Sequence, residues 1–141
     1  MNEADAKYIV IGGVAVILHG YARGTKDLDL LVDTSEENVR RLKEALGHLP
    51  DNAIAQMNDD EISRHTVVRI ADEYVIDLME KACRIGYEEA QNDIEWQEID
   101  GVKIPLAGKE ILIKMKDTIR PSDKADTEFL RYLIEEEKKR K

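Results

Sequence analysis

The stretch Tyr8 to Asp33, YIVIGGVAVILHGYARGTKDLDLLVD, decides how the rest of this chain is organised. Its apolar run Tyr8–Ile11 predicts a strand, which is interrupted by Gly12-Gly13. The residues that follow, Val14–Leu18, predict a short buried helix, and a polar loop then leads into a second strand, Asp27–Val32. The fold is therefore expected to begin as strand, glycine turn, helix and strand.

The second strand carries two carboxylates on one face. Side chains alternate along an extended segment, so Asp27 and Asp29 lie on the face opposite to Leu28 and Leu30. Like charges at this spacing favour a cation between them, and Mg2+ takes one or two carboxylates together with phosphate oxygens. Gly12-Gly13 lets the backbone approach a ligand closely and aims N–H groups at an anion. The sequence thus predicts a metal site beside a phosphate site.

A third carboxylate, Asp77, lies in the otherwise apolar segment Tyr74–Met79. Burying a carboxylate is costly unless it is paired or bound to a cation, so Asp77 needs a partner. Either a metal ion or a nearby Arg or Lys meets this need, and the pattern leaves both open.

The remaining patterns predict an α+β domain with a mixed sheet of about four or five strands. Helices are expected on one face of the sheet, followed by a C-terminal helical pair. The other predicted elements are a helix over 35–47, a strand pair His65–Ile70 with Tyr74–Met79, a hairpin Ile94–Ile99 with Val102–Pro105, a helix from Gly108 that stops at Pro121, and a helix from Ser122-Asp123. One domain, residues 1–141, is expected, with a sheet region at 1–106 and helices at 107–141.

Composition limits the classes of function. The chain has 141 residues and a formal net charge of -9, with a pI near 4.9, which opposes tight nonspecific binding to long nucleic acid. A single cysteine, Cys83, excludes an intramolecular disulfide and suits a reducing compartment. The polar N-terminus is unlike a signal peptide, and no apolar run approaches the ~20 residues that a membrane span needs. A cytoplasmic protein without a membrane partner is expected.

At these motifs the chain resembles the DNA polymerase beta-like nucleotidyltransferase superfamily. That superfamily combines a Gly-Gly or Gly-Ser pair at the start of a helix with Asp-x-Asp on the next strand and a third carboxylate on a later one. Residues 23–29, RGTKDLD, look like the Arg-x-Thr-x-Asp-x-Asp variant of small bacterial and archaeal members, which include abortive-infection (AbiEii-like) toxins and antibiotic-modifying enzymes. Residues 120–126 look like an Arg-x-Lys-Asp-x-x-Asp element, with Ser122 in place of the lysine.

The resemblance implies an ATP- or other nucleoside triphosphate-dependent transferase that uses Mg2+, with two ions expected. A nucleoside monophosphate would be transferred from the triphosphate to a hydroxyl acceptor, and pyrophosphate would leave. The residues carried over as catalytic and metal-binding are Asp27, Asp29 and Asp77. Those carried over as nucleotide-binding are Gly12, Gly13, Arg23, Thr25 and, in place of the missing lysine, Lys116, with Lys114 as its alternative.

Two other classes of function stay open. The chain could be a partner-binding subunit of a toxin-antitoxin pair with little or no catalysis, since so short a chain is expected to need a protein partner or a second copy to complete an acceptor pocket. Alternatively, the acidic residues are structural. The acceptor, whether a small molecule, a tRNA or a protein, is not indicated by the sequence.

Overall fold

The computed structural model describes residues 5–21, 27–116 and 121–140. These residues form an α+β fold around a mixed six-stranded sheet with the strand order β3-β4-β2-β1-β8-β7. Its strands are β1 (Tyr8–Ile11), β2 (Leu28–Val32), β3 (Val68–Ala71), β4 (Val75–Met79), β7 (Ile94–Ile99) and β8 (Val102–Ala107). A separate two-stranded ribbon is formed by β5 (Lys81–Ala82) and β6 (Ile85–Gly86). The sheet therefore has one strand more than the upper value predicted.

The centre of the sheet is built by the stretch quoted first. Helix α1 (Gly12–Leu18) follows β1 directly and begins at the glycine pair itself, two residues earlier than predicted. Strand β2 returns antiparallel to β1, and β4 then lies parallel to β2 on its other side. Because β2 is flanked by β1 and β4, residues on all three strands can meet on one face.

Burial differs between the centre of the sheet and its β3 edge. All four residues of β1 are buried, and since their side chains alternate, both faces are covered at the sheet centre. In contrast, β3 buries Val68 and Ile70 but exposes Arg69 and Ala71. One face at the β3 edge therefore remains open to solvent.

Helix α2 (Glu36–Leu46) closely matches the predicted helix. Ser35 caps it by accepting a hydrogen bond from the backbone N–H of Asn38. The following segment contains a 3-10 turn (Ala53–Gln56) and leads to helix α3 (Glu61–Arg64). Its Ile54 and Met57 are buried in the core, so the segment is part of the packed structure.

The C-terminal part contains the predicted hairpin and helical pair. Strands β7 and β8 join at Asp100 and Gly101, which have φ angles of 51° and 80° and so suit the tight turn of a hairpin. A short helix, α4 (Tyr87–Ala90), precedes this hairpin, and α5 (Lys109–Met115) follows it. Helix α6 (Pro121–Arg140) packs against α5, and Pro121 begins this helix instead of ending the previous one.

Within the described ranges, no helix combines the length and the apolar character needed to cross a bilayer.

Candidate active site

Three neighbouring strands bring charged residues into one row. Asp29 of β2 pairs in register with Asp77 of β4, and Asp77 in turn pairs with Arg69 of β3. Residues that are paired across a sheet point to the same face. Asp27 lies just before β2, two residues from Asp29, and reaches the same group. The three carboxylates predicted as catalytic are therefore brought together.

Arg69 forms the bridge within this row. Its Nε donates to Oδ1 of Asp77 over 2.9 Å, and its Nη2 donates to Oδ2 of Asp27 over 2.9 Å and to Oδ2 of Asp77 over 3.2 Å. The Asp77 side chain is only 9% exposed, whereas that of Arg69 is 60% exposed. A charge-assisted fork of this kind fixes the geometry of Asp77 while leaving the guanidinium open to solvent.

Arg69 is not among the predicted site residues, although the sequence left open that Asp77 pairs with a nearby Arg or Lys. This pairing is what the structure shows. The signal was present in the sequence, because the strand VRIA alternates and places its arginine on the face opposite to Val68 and Ile70. Only the register of β3 against β4 decides that this face is the one that carries Asp77.

Asp29 is the carboxyl group most affected by the site. Its pKa is raised to about 6, mainly by partial burial and also by the charges of Asp77 and Asp27 and a hydrogen bond with Asp77. The charge of Lys116 opposes this effect. Near pH 6 Asp29 therefore carries a proton for part of the time, and this proton reduces the repulsion among the three carboxylates.

Gly12 lies against Asp29. Ile11 pairs in register with Asp29, and the next residue, Gly12, has a φ of 69°. A Cβ atom at Gly12 would overlap the carboxylate of Asp29. Two requirements thus select glycine here, the left-handed backbone and the close approach of a carboxylate. Gly13, the other half of the pair, is buried in the first turn of α1.

Lys116 lies at the end of α5 and has two acidic partners on α6. Its Nζ is 3.2 Å from Oδ1 of Asp123 and 2.9 Å from Oδ2 of Asp126, and all three side chains are buried. The predicted phosphate-binding lysine is therefore held in an ion-pair cluster, and it acts on Asp29 through the field of its charge. Asp123 and Asp126 are the two acidic positions of the element noted at 120–126. The predicted phosphate-binding residues Arg23 and Thr25 lie outside the residues that the structure describes, as does the side chain at position 122.

The donor atoms suit a hard divalent cation. Three carboxylates lie in one row with a single guanidinium, which bonds two of them, and the charges of Asp77 and Asp27 add to burial in raising the pKa of Asp29. Because Arg69 bridges Asp27 and Asp77, these groups are held as an ion-pair network. Across the described residues, no set of three His, Cys, Asp or Glu side chains is arranged as a ligand set. Both oxygens of Asp77 and Oδ2 of Asp27 accept from Arg69, so a metal ion held by all three carboxylates would compete with Arg69 for them.

Comparison with known proteins adds no family assignment. The chain matches no family model, and no curated protein matches it significantly.

Proposed function

We propose that this chain is a metal-dependent nucleotidyltransferase that transfers a nucleoside monophosphate from a triphosphate to a hydroxyl acceptor and releases pyrophosphate. The observation that carries this proposal is the convergence of Asp27, Asp29 and Asp77 on one face of adjoining strands, with Gly12 directly against Asp29. The order of strand, glycine pair, helix and Asp-x-Asp strand supports a nucleotidyltransferase-like fold.

In this proposal each group has a separate task. Asp27, Asp29 and Asp77 hold Mg2+, which would neutralise triphosphate oxygens and favour attack by the acceptor hydroxyl. Asp77 assists removal of the proton from that hydroxyl. The backbone of Gly12 and Gly13, at the start of α1, would contact the phosphates, and the missing Cβ of Gly12 leaves room for the Asp29 carboxylate beside them. Arg23 and Thr25 keep their proposed role as phosphate contacts on the strength of the motif alone, and Lys116 contributes its charge.

A second candidate function has one observation in its favour. Arg69 already pairs with both Asp27 and Asp77, so the acidic row has a cationic partner within the protein itself. A partner-binding subunit of a toxin-antitoxin pair with little or no catalysis would need only this internal ion pairing and no metal ion. The two functions differ in whether a triphosphate binds in a metal-dependent manner.

The test is calorimetric titration of each nucleoside triphosphate into the protein, first with Mg2+ and then with EDTA. Asp29→Asn is compared with wild type, and Asp60→Asn is the matched control because Asp60 is exposed and pairs with Arg64 away from the acidic row. Binding that requires Mg2+, is lost in Asp29→Asn and is kept in Asp60→Asn supports the proposal. No binding of any triphosphate to wild type overturns it and makes a search for a protein partner by pull-down the next step.

A further inference from the structure

A groove between α5 and α6 concentrates basic side chains on an otherwise acidic protein. Its cavity is about 430 Å3 in volume. It is lined from α5 and its end by Ile113, Lys114 and Lys116, and from α6 by Lys124, Thr127, Glu128 and Arg131. Four of these seven side chains are basic and one is acidic, whereas the whole chain has a net charge of -9. The groove therefore has a local charge opposite in sign to that of the protein.

Three of the cations are available to a ligand. Lys114, Lys124 and Arg131 are exposed, and none of them forms an ion pair with a carboxylate of the described residues. Lys116, in contrast, is buried with Asp123 and Asp126. The charge of Lys116 is thus compensated by two buried carboxylates. Lys114, Lys124 and Arg131 instead present their positive charges to solvent.

The spacing of these cations suits an extended anion. Lys124, Thr127, Glu128 and Arg131 follow each other at helical intervals, so they share one face of α6. Lys124 and Arg131 are seven residues apart in the sequence, which corresponds to about 10 Å along the helix axis. Within a duplex, one strand carries a phosphate per about 3.4 Å of helix axis. An unpaired strand is more extended, so about two or three of its phosphates lie within this distance, whereas the phosphates of a nucleoside triphosphate share bridging oxygens and are more compact.

An aromatic side chain flanks the same face of α6. Tyr132 is 59% exposed and follows Glu128 by one helical turn. Sites for single strands combine a positive groove that follows the backbone with aromatic rings on which bases stack. We propose that the α5–α6 groove binds a short single-stranded nucleic acid segment, with Lys114, Lys124 and Arg131 on its phosphates and Tyr132 on a base.

The test is fluorescence anisotropy of a short labelled single-stranded RNA, measured over a series of salt concentrations in EDTA. For three phosphate contacts to a single strand, log K is expected to fall with log salt with a slope of about -2. The variant Lys124→Glu/Arg131→Glu should bind at least about tenfold more weakly, with a slope nearer -0.7. Lys138→Glu/Lys139→Glu changes the net charge equally on the same helix but outside the groove, and should bind like wild type.

Two further variants test RNA binding in the groove without reversing a charge. Glu128→Gln removes the one acidic side chain in the groove and should tighten binding, while Tyr132→Ala should weaken it about tenfold. Circular dichroism of each variant checks that the fold is kept. Equal weakening by the two double variants, or a groove that binds inorganic triphosphate as tightly as RNA, would overturn the proposal.

The binding test is separable from the proposed function. Asp29→Asn should bind RNA as wild type does, because Asp29 is not part of the groove. RNA binding without triphosphate binding leaves the groove established and the transferase proposal refuted. Metal-dependent triphosphate binding without RNA binding leaves the transferase supported and the groove proposal refuted.

Discussion

Arg69 and Asp77 face each other directly across β3 and β4, and Nε of Arg69 donates to Oδ1 of Asp77 over 2.9 Å. The same guanidinium also reaches Asp27. Arg69 thus holds two of the three carboxylates that the proposed reaction assigns to a metal ion. A cation from the protein and a divalent cation from solution would compete for the same oxygens.

This competition predicts the effect of Arg69→Gln. Loss of the guanidinium should raise the affinity of the acidic row for Mn2+ or Mg2+ at least about tenfold, or about 1.4 kcal/mol, because the ion no longer has to displace an arginine. Titration calorimetry with the metal alone measures this directly. Arg64→Gln, at an exposed pair with Asp60, is the control. Unchanged or weaker metal affinity in Arg69→Gln would show that the row is not a metal site.

Gly12→Ala should be strongly destabilising. The new methyl group meets the Asp29 carboxylate, and the residue must also keep a φ of 69°. Positive φ alone costs about 1–2 kcal/mol, and displacement of Asp29 should add at least about 1 kcal/mol. Gly101→Ala provides the comparison, since Gly101 has a φ of 80° but no atom within 4 Å of its added Cβ. The difference in urea unfolding free energy between the two variants isolates the contact, and equal losses would contradict it.

The raised pKa of Asp29 predicts a pH dependence of stability. Its pKa is about 6 in the folded protein, above the ordinary value of 3.8, so the folded state binds the proton more tightly. Its contribution to stability is therefore fully present below about pH 4 and is lost as the pH rises through about 6. Allowing for solvent screening, the loss should be about 1–2 kcal/mol.

Asp29→Asn removes this titration and serves to isolate it from that of other groups. The difference in unfolding free energy between wild type and Asp29→Asn, measured in EDTA from pH 4 to pH 7, should change between about pH 4 and pH 6 and level off above that. A difference that stays constant over this range would mean that Asp29 keeps an ordinary pKa.

Lys116→Met should destabilise the C-terminal helices. Lys116 is the cation between the buried carboxylates of Asp123 and Asp126, and loss of one member of a buried ion pair costs about 3 kcal/mol or more. Lys114→Met, two residues earlier on the same helix, removes an exposed charge and should change stability by less than about 0.5 kcal/mol. Thermal or urea unfolding compares the two. Similar stability of both variants would indicate that Lys116 is not the link between α5 and α6.

The sequence by itself determined the local elements and the principal carboxylates. Strand-like apolar segments predicted β2 and β4, helical periodicity predicted α2, and two strand-like runs separated by two residues predicted the β7–β8 hairpin. These features depend on neighbours in the chain, which a pattern contains. The same patterns placed Asp27 and Asp29 on one strand face, and marked Asp77 as a carboxylate in need of a partner.

The tertiary structure decided which distant residues meet. The pairing of β2 with β4 puts Asp77 beside Asp29, and the pairing of β3 with β4 makes Arg69 its partner. Similarly, the packing of α6 on α5 buries Lys116 between two carboxylates, although its sequence position suits a phosphate contact equally well. A shift in strand register by one residue would send Asp77 or Arg69 to the other face of the sheet. Register and packing are set by the whole core, so no local pattern specifies them.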